Sequence, residues 1–189
     1  PMEIGHRIFV FPEWPNEATP AGRIRIAVNA GLAIGTGAHE TTRLCLESIE
    51  RHLQPGASVV DVGTGSGILS EAALKLGASK ARACDTDHGA VIVARENFRR
   101  AGLDVPVFVG SADSIASASA DIVVANISPA WIAELATEWI RILKPGGVAI
   151  LSGFEAADIP VIGAAILALI FGGFRARVIQ LWHLVLSKH

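Results

Sequence analysis

The sequence predicts an α/β fold whose parallel sheet is covered by helices on both faces. From residue 58 onward, short apolar runs alternate with longer segments of helical spacing, the pattern of strands joined by crossover helices. Of the 189 residues 51% are hydrophobic and 18% charged, which excludes a disordered chain and suits a sheet buried on both sides. This length supports one domain with a single core. Within it, residues 1–30 read as a linker-like segment with short strands, and residues 31–189 as the domain that carries the chemistry.

The elements follow in order. HRIFVF and GRIRIAV read as short strands around a Pro-rich loop. HETTRLCLESIERHL reads as a helix whose Thr42, Cys45, Leu46, Ile49 and Leu53 share one face. ASVVDVG is a strand ending in glycine, GILSEAALKLGA a helix closed by Gly77, and ARACD a second strand. HGAVIVARENFRRAG is a helix ending at Gly102, followed by the strand VPVFVG. ADIVVANI is a fourth strand, PAWIAELATEWIRIL a helix with Pro129 near its first turn, and GGVAILSG a fifth strand. IPVIGAAILALIF, residues 159–171, is too short to span a bilayer and reads as a buried helix. FRARVIQ and LWHLVLS leave no room for a crossover helix and should pair antiparallel. The expected sheet is therefore seven-stranded and mostly parallel, with an antiparallel last strand.

Bulk properties narrow the function. The formal net charge of −2 and the lack of any Lys/Arg run give a nucleic-acid partner no electrostatic support. Protein and small-molecule substrates remain. Cys45 and Cys84, the only cysteines, sit in apolar segments and read as core thiols of a reducing compartment, not as a disulfide or metal pair. The first residues show no basic segment followed by an apolar one, so no signal peptide is expected and the cytoplasm is the expected compartment.

The chemistry concentrates in VVDVGTGSGIL. Asp61, Gly63, Gly65 and Gly67 lie between a strand and a helix, where residues without a Cβ let a ligand approach the backbone. A dinucleotide fingerprint needs G-x-G-x-x-G, but Ile68 occupies the third glycine's place, which disfavours an NAD-dependent oxidoreductase. The observed G-x-G-x-G suits a ligand without phosphates, whose amino acid portion meets the loop and Asp61 through its ammonium group. Asp85 ends the next strand, 22 residues after Gly63, where a carboxylate accepts the hydroxyls of a ribose. S-adenosylmethionine combines these parts and points to methyl transfer.

Asn126 ends the fourth strand in ANISPAW. Its amide oxygen can accept hydrogen bonds from an amine and aim the lone pair at a methyl donor, the role for which it is the candidate catalytic residue. Alternatively it caps the helix at Pro129. Thr42 is open between helix entry and ligand contact, and His39 between helix cap and channel wall.

GLAIGTGAHETTRLCLE, VVDVGTGSGILSEAALKLGA and ADIVVANI with LKPGGVAILSG, in this order, resemble the ribosomal protein L11 methyltransferase (PrmA-type) family. The resemblance implies the class I methyltransferase fold and S-adenosylmethionine contact by Thr42, Gly63, Asp85 and Asn126. It also implies methylation of a lysine or N-terminal amine of a ribosomal protein, and a further substrate-docking domain ahead of the catalytic one. The glycines at 35 and 37 would then fold a loop over the cofactor. Ile34 and Ser128 depart from the family's phenylalanine and leucine at the acceptor border. Those departures keep three alternatives open: a small-amine methyltransferase, an RNA methyltransferase, and a non-catalytic cofactor-binding module.

Overall fold

The computed structural model describes residues 1–12, 18–28, 39–171 and 177–180. Strands β1 (Met2–Ile4), β2 (Ile8–Pro12) and β3 (Ile24–Val28) form a small sheet in which β1 pairs antiparallel and β3 parallel with β2. Helix α1 (Glu40–His52) follows, then β4 (Ser58–Val62), α2 (Ile68–Leu76), β5 (Lys80–Asp85), α3 (His88–Arg100), β6 (Val107–Val109) and β7 (Ala120–Asn126). The chain continues through α4 (Pro129–Glu134), α5 (Ala136–Ile142), β8 (Leu143–Ser152), α6 (Ile159–Phe171) and β9 (Arg177–Gln180).

The main sheet has the order β6-β5-β4-β7-β8-β9, and every described pairing in it is parallel. The expected antiparallel strand LWHLVLS lies outside the described residues, so the described sheet has six strands. Chain order reverses between β4 and β7. At that switch point the loops leaving the two strands diverge and open a crevice at their carboxyl ends.

Alternation along each strand divides the core. Val59, Ile122, Val124 and Ile150 pack with α1, α2 and the small sheet's Ile4, Ile8, Val10 and Ile26. Their neighbours Val60, Val62, Val123, Ala125, Ala149 and Leu151 pack with Ile132, Trp139, Ile142 and Ile162 of α4, α5 and α6. Strands β1, β2 and β3 thus contribute buried side chains to the same core as α1 and α2. Both thiols are free and buried.

One departure from the sequence expectation has a physical cause. The single helix expected from Pro129 to Leu143 is broken at Leu135. There the buried Trp139 indole N–H donates to the Ile132 carbonyl at 3.0 Å and competes with the helical ladder. Helix α6 is partly covered in its first half, where Ile162 is buried while Val161 stays 67% exposed. No helix among the described residues is long and apolar enough to cross a membrane.

Ile150 is fully buried between the sheet and α1, whereas Ile92 of α3 is 51% exposed. Ile150→Ala should therefore cost about 2–5 kcal/mol in a denaturant titration, and Ile92→Ala within about 0.5 kcal/mol of zero.

Candidate active site at the carboxyl edge of the sheet

The carboxyl end of β4 runs into a loop that only glycine can build at three points. Gly63, Gly65 and Gly67 have φ of 72°, 54° and 85°, the left-handed region in which L side chains are strained. A Cβ on Gly63 would collide with Ile127, and one on Gly67 would enter the Phe98 ring at 2.6 Å. The loop is pinned to its neighbour strand: the N–H groups of Gly63 and Thr64 both donate to the Cys84 carbonyl, at 2.9 and 3.0 Å. Asn97 of α3 braces the far side by donating to the Ser66 carbonyl at 2.8 Å.

Asp61 sits beneath this loop with 0% exposure. One of its oxygens, Oδ2, accepts from Thr64 Oγ1 at 2.8 Å, Ser70 Oγ at 2.9 Å and the Ser70 N–H at 3.2 Å. The other, Oδ1, is buried without a hydrogen-bond partner among the described residues. A buried acceptor of this kind is costly unless a donor meets it. Burial raises the Asp61 carboxyl to about 6 against the bonds from Thr64 and Ser70, and the nearby Asp85 adds to the rise.

Asp85 ends β5 and turns back to the loop. Its Oδ2 accepts the Gly65 N–H at 2.9 Å, and its Oδ1 the Asp87 N–H at 3.0 Å. Each oxygen keeps a lone pair, and the side chain is only half-buried. Asp87 in turn caps α3 by accepting the Gly89 N–H at 2.8 Å.

Across the switch point, Asn126 ends β7 opposite Ser152 of β8. Its Nδ2 donates to Thr42 Oγ1 at 3.2 Å, joining residues 84 apart in the chain. Asn126 is not the cap of α4: the capping position is Ser128, whose side chain makes no capping bond. His39 caps α1, its Nδ1 accepting the Thr41 N–H at 3.4 Å. Cys45 lies one turn beyond Thr42 on α1. Burial pushes both thiols up to about 12, Cys45 against a lowering effect of the Ser152 side chain and Cys84 with Asp61 and Asp85 adding to the rise.

All seven candidate residues therefore meet at one edge: Asp61, Gly63, Gly65, Gly67 and Asp85 on one side of the switch point, Thr42 and Asn126 on the other. Ile34, Gly35 and Gly37 lie outside the described residues. Asp113, not among the candidates, also comes to this edge: the short turn after β6, the strand that pairs with the end of β5, brings it close enough to raise the Cys84 thiol. Among the described residues no group of acids, histidines and cysteines is arranged to hold a metal ion. A cavity of about 250 Å³ lined by Arg25, Glu71, Lys75, Asn97 and Arg100 includes none of the seven.

This strand order, with a glycine loop after β4 and an acid after β5, defines a class I methyltransferase fold. A Pyrococcus furiosus methyltransferase has the same fold, with a TM-score of 0.57 at 20% identity over 64% of this chain and 68% of that one. The chain belongs to the family described as ribosomal protein L11 methyltransferase (PrmA), which matches residues 1–171. It is 43% identical over 157 residues to the ribosomal protein L11 methyltransferase of Symbiobacterium thermophilum, covering 83% of this chain and 52% of that protein. The crystal structure of ribosomal protein L11 methylase from Lactobacillus delbrueckii subsp. bulgaricus superposes with a TM-score of 0.80 at 30% identity, over 88% of this chain and 85% of that one. The chain spans about half the length of the curated relatives it matches.

The Asp61 carboxyl binds its proton more tightly in the fold, at about 6, than at its ordinary 3.8. Its contribution is therefore lost as pH rises, by up to about 3 kcal/mol between roughly pH 4 and 6. Urea titrations across that range should show Asp61→Asn losing less stability with rising pH than the wild type. Parallel profiles for the two proteins would contradict the buried, raised carboxyl.

Proposed function

We propose that this chain is the catalytic domain of an S-adenosylmethionine-dependent protein N-methyltransferase acting on a lysine or N-terminal amine, with ribosomal protein L11, for which its relatives are named, as the substrate. The free, buried thiols suit action in the reducing cytoplasm. One observation carries the reading: the Asn126 amide is fixed by Thr42 on the same edge as the glycine loop and Asp85.

The residues present fit the cofactor. The unpartnered Oδ1 of Asp61 offers a buried acceptor to an ammonium group, and the glycine loop leaves the space that side chains would fill. The remaining lone pairs of Asp85 suit ribose hydroxyls. When bound, S-adenosylmethionine supplies a methyl group on a positively charged sulfur, so the leaving group is neutral and needs no acid.

The chain's part is orientation. With Nδ2 directed to Thr42, Asn126 presents Oδ1 as an acceptor and draws in an amine through its N–H bonds. A lysine, with a pKa of about 10.4 in water, must shed a proton first, and desolvation at the edge favours its neutral form. No residue need act as a dedicated base.

Transfer of labelled methyl groups tests the reading directly. Purified ribosomal protein L11 should take up label in the presence of this chain, and uptake confined to small-molecule fractions would overturn the protein-substrate assignment. Asp85→Ala should weaken S-adenosylhomocysteine binding in calorimetry by about 1.5–3 kcal/mol through loss of charge-assisted hydrogen bonds. Unchanged affinity in a folded variant would remove Asp85 from the cofactor site.

A further inference from the structure

The helices flanking the acceptor side of the edge carry a charge pattern that cofactor binding does not use. From Asn126 to Phe171 the chain has four acids, Glu134, Glu138, Glu155 and Asp158, and two cations, Arg141 and Lys144, the latter paired with Asp121 of β7. Glu138 is paired with Arg141. Glu134 and Glu155 are exposed, and Asp158 is half-buried. On the other side, β5 and α3 carry Lys80, Arg82, Arg95, Arg99 and Arg100 against two acids, Asp85 and Glu96, the latter paired with Arg99 and Arg100.

The same rim exposes apolar surface. Trp131, in the first turn of α4, is 50% exposed, and Val161, in the first turn of α6, is 67% exposed. The two helices pack against each other. They follow the carboxyl ends of β7 and β8, where Asn126 and Ser152 are register partners. An exposed indole attracts lysine or arginine through its face, and the carboxylates on the same helices and the turn before α6 steer the approach.

We propose that this acidic rim, with Trp131 as its anchor, docks the substrate segment that bears the acceptor amine, and that the segment is an extended stretch rich in lysine or arginine. That the occupant is a substrate rests on the methyl-transfer reading above. Continuity with Asn126 and charge complementarity to an amine-bearing peptide select this occupant over a second copy of the chain, whose matching rim would repel.

The test uses two fluorescent decapeptides, one alternating lysine and glycine and one alternating glutamate and glycine, with binding read by anisotropy. The lysine peptide should bind more tightly, and its affinity should fall as salt is raised. Trp131→Ala should weaken it about 3-fold or more, Glu134→Lys should weaken it further at low salt, and Arg99→Glu on the opposite side should not. All three variants should bind S-adenosylhomocysteine like the wild type. Equal binding of the two peptides, or rim variants indistinguishable from wild type, would overturn the rim while leaving cofactor binding intact. Selective binding of the lysine peptide by a chain that does not bind S-adenosylhomocysteine would instead uphold the rim and remove the methyl-transfer reading.

Discussion

The edge depends on one buried carboxylate. Asp61 has left water entirely, a costly position for an acid, and it is held there by three donors that all converge on a single oxygen. Those donors belong to the loop and to the first turn of α2, so the carboxylate ties the end of β4 to both. Because Oδ2 is fully engaged, the orientation of Oδ1 is fixed as well. The Cys84 carbonyl and the Asp85 carboxylate then clamp the loop to β5. A ligand meeting this edge finds its backbone, one free acceptor and one half-buried acid already placed, with little left to order on binding.

Much of this was legible because it is local. The strand and helix alternation, the glycine spacing, Asp85 in register and the Pro129 helix start all follow from period and turn chemistry within a few residues. Thr42 and Asn126 were each recognisable by place and family resemblance, but their mutual bond spans 84 positions and needs the folded sheet. The break at Leu135 was illegible for the same reason, since it depends on where the Trp139 indole finds an acceptor. The strand Met2–Ile4 gave too short a signal, and its formation rests on pairing with Ile8–Pro12. Asp113 was missed because one acid in a small polar loop carries no pattern of its own.

The two sides of the edge are held to different partners, which suits two ligands of different character. The cofactor side is braced by backbone: loop N–H groups on Cys84, Gly65 on Asp85, Asn97 on Ser66. The other side is braced by α1, through the Thr42 side chain bonded to Asn126 of β7 and through buried Leu44, Cys45, Leu46 and Ile49 packed in the same core as Ile150 of β8. Sliding or rotating α1 would break that bond and unpack those side chains, so the helix fixes where the Asn126 amide stands.

That arrangement also resolves an apparent hazard. A methyl donor of the sulfonium type alkylates thiolates, and two buried cysteines lie near the proposed site, Cys45 one turn beyond Thr42 and Cys84 beneath the glycine loop. Burial pushes both to about 12, so at neutral pH they remain thiols and weak nucleophiles. The desolvation that quiets these sulfurs has the opposite effect on an incoming amine, because it penalises the charged form in each case: the anion of a thiol, the cation of a lysine. In the proposed reaction, desolvation would thus keep the protein's own buried thiols protonated and favour the neutral form of a substrate amine, so no catalytic base is called for.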